Sequence, residues 1–235
     1  MERTLADHLD HIDRFFVGGE HGHAATFHTL SIAGPREFME GRILPALAAD
    51  IGRLPPLDIG FGRSSDLLDD LQAGRVDIVI STVRPRHPDI ESWPIADEEF
   101  WLVAPPELDV PTDSLSQLSA VPMVALNRDL AIIRRYWNSV YNAEPLFDPA
   151  VTLPDLEGVK TAVLQGFGMT VLPSYMVTGE VASGALVRVV GDSEPPINTV
   201  FLAARKPTLA ARRSVAGMAR LITGRVKEFQ ATIDL

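Results

Sequence analysis

Small polar side chains, one arginine and one phenylalanine stand where the predicted strands of this 235-residue chain end. In open α/β sheets, ligands bind beyond the carboxyl ends of the strands. Hydroxyl, amide and guanidinium groups at these points bind a small molecule by hydrogen bonds and fix its orientation. The sequence therefore predicts a ligand-binding site made of Pro35, Arg36, Ser64, Ser65, Ser81, Thr82, Asn127, Phe167 and Gly168.

The type of ligand is indicated by Arg36, at the start of the helix predicted after the first strand. A helix N-terminus presents free backbone N–H groups and a positive dipole end, and an arginine binds a carboxylate through two parallel hydrogen bonds. We therefore expect a carboxylate effector. In an alternative that stays open, Arg36 is a solvated residue paired with Glu40 at i+4. Asn127 ends the first strand of the second half of the chain and is expected to contact the same ligand.

Most of the other candidate residues have a structural alternative. Ser64 and Ser65 precede a predicted helix, where a serine commonly caps the N-terminus. Ser81 and Thr82 end a buried strand, so their hydroxyls either contact the ligand or serve the turn that follows. Phe167, between two glycines, either forms a wall of the site or belongs to the core.

Several kinds of chemistry are excluded or not expected. The sequence contains no cysteine, which excludes disulfides, thiolate catalysis and cysteine-bound metals. Five of the six histidines lie within the first 28 residues and have no clear carboxylate at ligand spacing, so no metal site is expected. No Ser-His-Asp set and no phosphate loop can be assembled. The acidic residues Asp66, Asp69 and Asp70 are expected to form a solvated helix face. We expect neither enzyme activity nor a cofactor.

Strand and helix patterns alternate along the first hundred residues. The strands are apolar or alternate apolar with polar residues, and the helices carry apolar residues on one face. Pro45 is expected to kink the first helix, Ser65 to cap the second and Gly74 to end it. This order predicts a doubly wound parallel sheet. Strands are predicted at 28–34, 57–61, 77–80 and 94–104, and helices at 36–51 and 65–74.

A second series of the same kind follows Pro105 and Pro106. Gly166 is expected to end one of its helices. Two α/β series predict two lobes of similar design, preceded by a short helix at 3–16 and a glycine-rich linker at 17–26. Strands of the second series are predicted at 121–126, 150–153, 169–172, 186–190 and 199–204, and helices at 129–141, 155–165 and 208–230.

The composition is that of an ordinary soluble globular protein, with 46% hydrophobic and 22% charged residues. No apolar run approaches the roughly 18 residues that a membrane span needs, and the charged N-terminus shows no secretory signal. We therefore expect a cytoplasmic protein without membrane association. The formal net charge of −10 disfavours binding to the DNA backbone, which proteins contact mainly through basic residues.

Five segments stand in a characteristic order between residues 28 and 205. They are Leu30-Ser-Ile-Ala-Gly34, Ile43-Leu-Pro-Ala-Leu47, the segment from Gly62 to Ile80, Val163-Leu-Gln-Gly-Phe-Gly-Met-Thr-Val-Leu-Pro173 and Gly184-Ala-Leu-Val187. This ordered set resembles the effector-binding domain of the LysR-type transcriptional regulators. The helix predicted at 3–16 resembles the end of the linker helix that, in this family, joins the domain to a winged helix-turn-helix head.

The resemblance implies a fold like that of the periplasmic binding proteins, with two lobes and two hinge crossings. It also implies that a small-molecule effector binds between the lobes and thereby switches oligomer geometry and transcription. By this resemblance, lobe one comprises 28–103 and 200–235, lobe two comprises 104–199, and residues 1–27 are a remnant of the linker helix and linker.

The partners implied by the resemblance are the effector, further copies of the chain and DNA. A homodimer or tetramer with effector domains side by side is expected. DNA binding is expected only through the winged helix-turn-helix head, which these 235 residues lack. A truncated gene and a piece excised from a longer protein both remain open as explanations.

Two other functions use the same fold. A stand-alone solute-binding protein of a transporter requires export, and no export signal is visible. An enzyme on this scaffold requires an acid, a base or a cofactor lysine, and none of these stands in a recognisable motif.

Overall fold

The computed structural model describes residues 29–189 and 194–233 of the chain. Within them the chain forms two compact units, unit one with residues 29–96 and 199–233, and unit two with residues 97–198. Helices and strands alternate in both units, which confirms the predicted α/β class. The helix predicted at 3–16 and the linker predicted at 17–26 lie outside the described residues.

Unit one is built on three parallel strands and one antiparallel strand. The first strand pairs in parallel with the second and the third, and the third pairs antiparallel with the last strand of the chain. The third strand is completely buried, as its continuous apolar sequence predicts. The elements of unit one are β1 (Leu30–Gly34), the helical segment α1 (36–53), β2 (Leu57–Phe61), α2 (Ser64–Ala73), β3 (Ile78–Ser81), the first part of β4 (Ile90–Ala104), the last part of β9 (Ile197–Arg205), α7 (Lys206–Ala211) and α8 (Arg213–Ile233).

Segment α1 combines three helix types, in the order α (Arg36–Phe38), π (Met39–Ile43), α (Leu44–Leu47) and 3-10 (Ala48–Arg53). Pro45 has no N–H to donate to the carbonyl of Gly41, and its ring crowds that carbonyl. The N–H of Leu44 bonds to the carbonyl of Met39 in a wider turn. Where we predicted a kink, the helix contains a π turn that ends just before Pro45. Within this segment Ile43 and Leu47 are buried, whereas Leu44 and Ile51 are exposed.

Helix α2 has no serine cap, and the prediction that Ser65 caps it is wrong. Its N-cap residue is Arg63, whose side chain makes no capping hydrogen bond, and the helix begins at Ser64. The hydroxyl of Ser65 bonds to the carboxylate of Asp66 at 3.0 Å. The Ser64 hydroxyl bonds to Thr82, so both serines have partners other than the helix N-terminus.

Unit two contains a mixture of parallel and antiparallel strand pairs. The strand that enters it, β4, runs antiparallel to β7 (Thr170–Pro173) and β8 (Val187–Arg188). Strands β5 (Val124–Ala125) and β6 (Val151–Thr152) are parallel. The sheets are therefore less uniformly parallel than expected, because β4 runs against its neighbours. The helices of unit two are α3 (Leu115–Leu118), α4 (Ala131–Tyr141), α5 (Leu156–Leu164), a 3-10 turn (Ser174–Met176) and α6 (Thr178–Ser183).

The ends of the helices agree with the predictions at two glycines. Gly74 after α2 and Gly166 after α5 have φ angles of 75° and 84°, which glycine adopts without strain. The single helix predicted at 208–230 is wrong, because the backbone of Arg212 is extended and separates α7 from α8. The guanidinium of Arg212 forms an ion pair with Asp77, which holds the chain at this break.

The core of unit two has two apolar clusters. One surrounds Trp137, whose ring contacts the rings of Tyr141 and Phe147 at centroid distances of 5.4 Å. The other surrounds Val159 and Val163 of α5. Every helix in residues 29–189 and 194–233 is too short or too polar to span a bilayer.

Candidate functional site

The predicted site residues of unit one lie at one edge of its sheet. The register pairs Gly34 at the end of β1 with Phe61 at the end of β2, so both strands end at the same level. Strand β3 is parallel to β1 and ends at the same edge. The residues that end or follow these three strands are Pro35, Arg36, Ser64, Ser65, Ser81 and Thr82.

Ser64 and Thr82 are in direct contact. The backbone N–H of Thr82 donates to Ser64 Oγ at 3.0 Å, and the two hydroxyl oxygens lie 3.1 Å apart. Ser64 is buried at the start of α2, and Thr82 is partly exposed. The contact therefore links the loop after β3 to the helix after β2, and it places two hydroxyl groups together at the sheet edge.

Ser81 and Ser65 use their hydroxyls locally. The buried Ser81 hydroxyl donates to the carbonyl of Val83 at 2.6 Å and accepts the N–H of Val83 at 3.1 Å. The turn role that remained open for Ser81 is therefore the one observed. The exposed Ser65 hydroxyl bonds to Asp66.

Arg36 adopts the alternative arrangement that the sequence left open. Its guanidinium pairs with Glu40 at 3.3 Å, and the two side chains are 52% and 46% exposed. The same guanidinium lies 4.5 Å above the centre of the Phe61 ring. Exposed ion pairs contribute only about 0–1 kcal/mol, so a ligand carboxylate can compete with Glu40 for Arg36.

In unit two, Asn127 lies beside a small cavity at the carboxyl end of β5. The cavity has a volume of about 30 Å³, and Thr170 and Leu156 also line it. The side-chain oxygen of Asn127 accepts the N–H of Asp129 at 3.0 Å, and Leu130 has a positive φ of 53°. A cavity of this size has room for about one water molecule, so a larger ligand requires additional space.

Phe167 and Gly168 follow helix α5. Phe167 is 56% exposed, which rules out the core alternative. Gly168 has a φ of 145°, and a Cβ atom there would lie 2.2 Å from the carbonyl oxygen of Pro122. The preceding Gly166 lines an open groove of about 340 Å³ together with Glu107 and other residues. The glycines are therefore required by backbone geometry, and the phenylalanine is accessible to a ligand.

Sequence reasoning missed a buried polar network in unit two. The carboxylate of Glu98 accepts hydrogen bonds from the hydroxyl of Tyr175 at 3.2 Å and from the amide of Asn198 at 3.3 Å. Arg135 donates to the side-chain oxygen of Asn198 at 2.7 Å. The sequence did contain one signal for this network, which is the position of Glu98 within the predicted strand 94–104. A carboxylate that is buried in a strand requires hydrogen-bond donors.

The phenol of Tyr136, in the core of unit two, has a raised pKa. Burial raises the pKa of its phenol to about 12, the neighbouring Tyr141 adds to this, and the positive charge of Arg188 opposes it. Arg188 itself pairs with Glu99 at 3.4 Å and lies 4.7 Å from the ring centre of Trp101. Tyr136 therefore stays protonated well above neutral pH and serves as an uncharged core residue.

The part of the chain that the structure describes contains no group of three or more side chains that suits a metal ion. The histidines His8, His11, His21 and His23 lie outside it. The acidic residues Asp66, Asp69 and Asp70 all lie on α2, where Asp70 pairs with Arg75.

Comparison with known protein families gives one match that covers most of the chain. Residues 24–220 match the model described as the LysR substrate binding domain. The chain is 35% identical over 220 residues to the HTH-type transcriptional regulator AbaB of Streptomyces antibioticus. The aligned residues cover 89% of this chain and 73% of AbaB.

Solved structures show the same fold at lower identity. The C-terminal domains of a LysR family protein from Agrobacterium tumefaciens match with a TM-score of 0.73 at 18% identity, covering 85% of this chain and 96% of that chain. Full-length LysG from Corynebacterium glutamicum, solved with bound effector Arg, matches with a TM-score of 0.71 at 17% identity. The match covers 86% of this chain and 69% of the LysG chain. These likenesses confirm the predicted periplasmic-binding-protein-like fold.

Proposed function

Because this chain belongs to the LysR substrate-binding domain family, we propose that it binds a small-molecule effector and that binding changes the geometry of a regulator's oligomer, and thereby transcription. The observation that carries the proposal is the contact between Ser64 and Thr82 at the carboxyl edge of the parallel strands. Such an edge is where ligands bind in open α/β sheets. The role is one of sensing without catalysis, and the matched relative AbaB is likewise named as a transcriptional regulator.

The proposed effector contacts are the nine residues predicted from the sequence. The proposed lobes also keep their predicted limits, 28–103 with 200–235 and 104–199. A carboxylate remains the proposed ligand group, with Arg36 as its partner. LysG supports this choice, because its bound effector Arg is an amino acid with an α-carboxylate. The contacts in unit one are Pro35, Arg36, Ser64, Ser65, Ser81 and Thr82, and those in unit two are Asn127, Phe167 and Gly168.

The proposed partners besides the effector are further copies of the chain, as a homodimer or tetramer. DNA contact is proposed only through a helix-turn-helix segment such as the one that the name of AbaB records. An effector shifts a conformational equilibrium only if its affinity differs between the two states. Sensing therefore requires that the effector bind one oligomer geometry more tightly than the other.

A thermal-unfolding screen with small carboxylates, amino acids and aromatic acids tests this proposal. A ligand present at about 100 times its Kd adds about 2.7 kcal/mol, which raises Tm by about 5–10 °C in a chain of this size. The same ligand is then added during light scattering, where a change of mass or radius is expected. If no compound in the screen raises Tm, the proposal is contradicted.

A further inference from the structure

An open groove lies at the carboxyl-terminal end of helix α5 in unit two. Its volume is about 340 Å³, which falls in the range of pockets that hold small organic molecules. The residues that line it belong to the loop after β4 and to the end of α5. They are Pro105, Glu107, Leu108, Leu164, Gln165 and Gly166.

The groove is separate from the cavity beside Asn127. That cavity is lined by Leu156 and Val159 at the start of α5, whereas the groove is lined by Leu164 at its end. An α-helix rises about 1.5 Å per residue, so Leu156 and Leu164 lie about 12 Å apart along the helix axis. Among the described residues, none lines both spaces. The groove is therefore a second place in unit two where a small molecule fits.

The end of α5 brings free backbone acceptors to the groove. The N–H groups of Gln165 and Gly166 bond back to carbonyls one turn earlier in the helix. Within residues 29–189 and 194–233, no N–H donates to the carbonyl oxygens of Leu164 and Gln165. The last carbonyls of a helix form the negative end of its dipole, which stabilises a nearby cation.

Glu107 adds a full negative charge to the groove. Its exposed carboxylate has no Lys or Arg nitrogen within 4.0 Å in the part of the chain that the structure describes. Neither chain segment that lines the groove supplies a cation, because residues 102–127 and 161–187 contain no lysine and no arginine. A carboxylate and a helix carboxyl terminus around one concave space produce a negative potential there. The groove therefore favours a positively charged ligand.

We propose that this groove binds a small organic cation, an alkylamine or an alkylguanidine. The positive head bonds to the Glu107 carboxylate and to the free carbonyls at the end of α5, by charge-assisted hydrogen bonds. The alkyl stem packs on Pro105, Leu108 and Leu164, and this apolar lining distinguishes an organic cation from a hydrated metal ion. The inference goes beyond the proposed function, since it assigns a second ligand of opposite charge at a separate site.

Titrations followed by the backbone amide NMR signals test the inference at neutral pH and constant ionic strength. The probes are n-butylamine, n-butylguanidine, uncharged n-butanol and inorganic ammonium. The proteins are the wild type, Glu107→Gln and the matched control Asp109→Asn. Asp109 is equally exposed and unpaired on the same loop, but it does not line the groove.

We expect at least one organic cation to shift the amide signals of Gln165 and Gly166. Its Kd is expected to rise about three- to fivefold in Glu107→Gln and less than about twofold in Asp109→Asn. The cation with the lower Kd in the wild type identifies the head group as an ammonium or a guanidinium. Butanol and ammonium are each expected to bind more weakly than either organic cation, because butanol lacks the charge and ammonium lacks the stem.

Four outcomes overturn the inference. Equal weakening in Glu107→Gln and Asp109→Asn indicates only a long-range field. Ammonium that binds as tightly as butylamine indicates an inorganic cation without use of the apolar lining. Shifts centred on Asn127 assign the cation to the other cavity, and the absence of any shift shows that the groove stays empty. The effector proposal does not depend on these results, because the thermal screen tests it with separate compounds.

Discussion

The carboxylate of Glu98 accepts a hydrogen bond from the side-chain amide of Asn198 at 3.3 Å, although 100 positions separate the two residues. Glu98 lies on β4 and Asn198 on β9, and both side chains are buried in unit two. Asn198 also accepts a bond from Arg135, so one amide connects a buried carboxylate to a guanidinium. Burying a carboxylate is unfavourable unless donors satisfy it, and Asn198 supplies one of them.

Replacing Asn198 with alanine removes this connection. We expect Asn198→Ala to lower the free energy of unfolding by about 1–3 kcal/mol, because Glu98 loses a donor in a buried site. Urea denaturation measures the loss. The control is Asn138→Ala, which removes an exposed hydrogen bond to Glu144 and is expected to cost less than about 0.5 kcal/mol. Equal losses in the two variants would contradict the importance of the network.

In unit one, Asp50 and Arg225 form a buried ion pair. Asp50 is 3% exposed and accepts bonds from Arg225 at 2.7 and 3.1 Å. The bond to Asp50 is also the main cause of the raised pKa of Arg225. We expect Asp50→Ala to cost about 3 kcal/mol in chemical denaturation, because it leaves a partly buried cation without its main partner.

The exposed pair between Asp70 and Arg75 provides the control for Asp50. Asp70→Ala is expected to cost less than about 1 kcal/mol, since exposed pairs are screened by water. A loss in Asp50→Ala no larger than that in Asp70→Ala would show that burial adds nothing to the Asp50–Arg225 pair.

Gly168 is predicted to be intolerant of any side chain. In Gly168→Ala the new Cβ meets the carbonyl of Pro122, and the positive φ is itself unfavourable for alanine. We expect a loss of about 2 kcal/mol or more, or no cooperative transition. Gly179 lies in helix α6 with open space around its Cα, so Gly179→Ala is expected to leave stability unchanged or to raise it by up to about 1 kcal/mol. Similar stability of both variants would refute this reasoning.

The raised pKa of Tyr136 predicts that the free energy of unfolding decreases at alkaline pH. Burial raises its pKa in the folded state from 10.0 to about 12. Below pH 10 the phenol is protonated in both states, and its contribution to stability is complete. Between about pH 10 and 12 the unfolded chain loses the proton first, so the free energy of unfolding falls as the pH rises. Denaturation curves from pH 8 to 12 measure this slope. Tyr136→Phe is expected to flatten it, and an unchanged slope would show that Tyr136 is not the cause.

Much of the fold is predictable because the signals are local. The apolar run at β3 and the glycine that ends α2 depend only on neighbouring residues, and both agree with the structure. The break at Arg212 is different, because its ion pair with Asp77 joins residues 135 positions apart. A helix pattern alone contains no information about such a contact, and the two helices were therefore predicted as one.

The candidate site likewise has features that the sequence predicts and features that it does not. The sequence placed Ser64 and Thr82 after two parallel strands that end at one edge, and the structure brings their hydroxyl oxygens to 3.1 Å of each other. The sequence did not determine how Arg36 would be used, since pairing with Glu40 and binding a carboxylate both suit its position. The Glu98–Asn198 bond depends on which strands meet in unit two, and a single sequence does not reveal that.

The central claim is that a small molecule binds at the carboxyl edge of unit one through the Ser64–Thr82 pair. Isothermal titration calorimetry of the compound that raises Tm most tests it on the wild type, Thr82→Val and the control Thr178→Val, whose exposed hydroxyl bonds only within unit two. We predict one ligand per wild-type chain, a Kd about tenfold higher in Thr82→Val and an unchanged Kd in Thr178→Val. Equal Kd values in all three proteins would contradict the account.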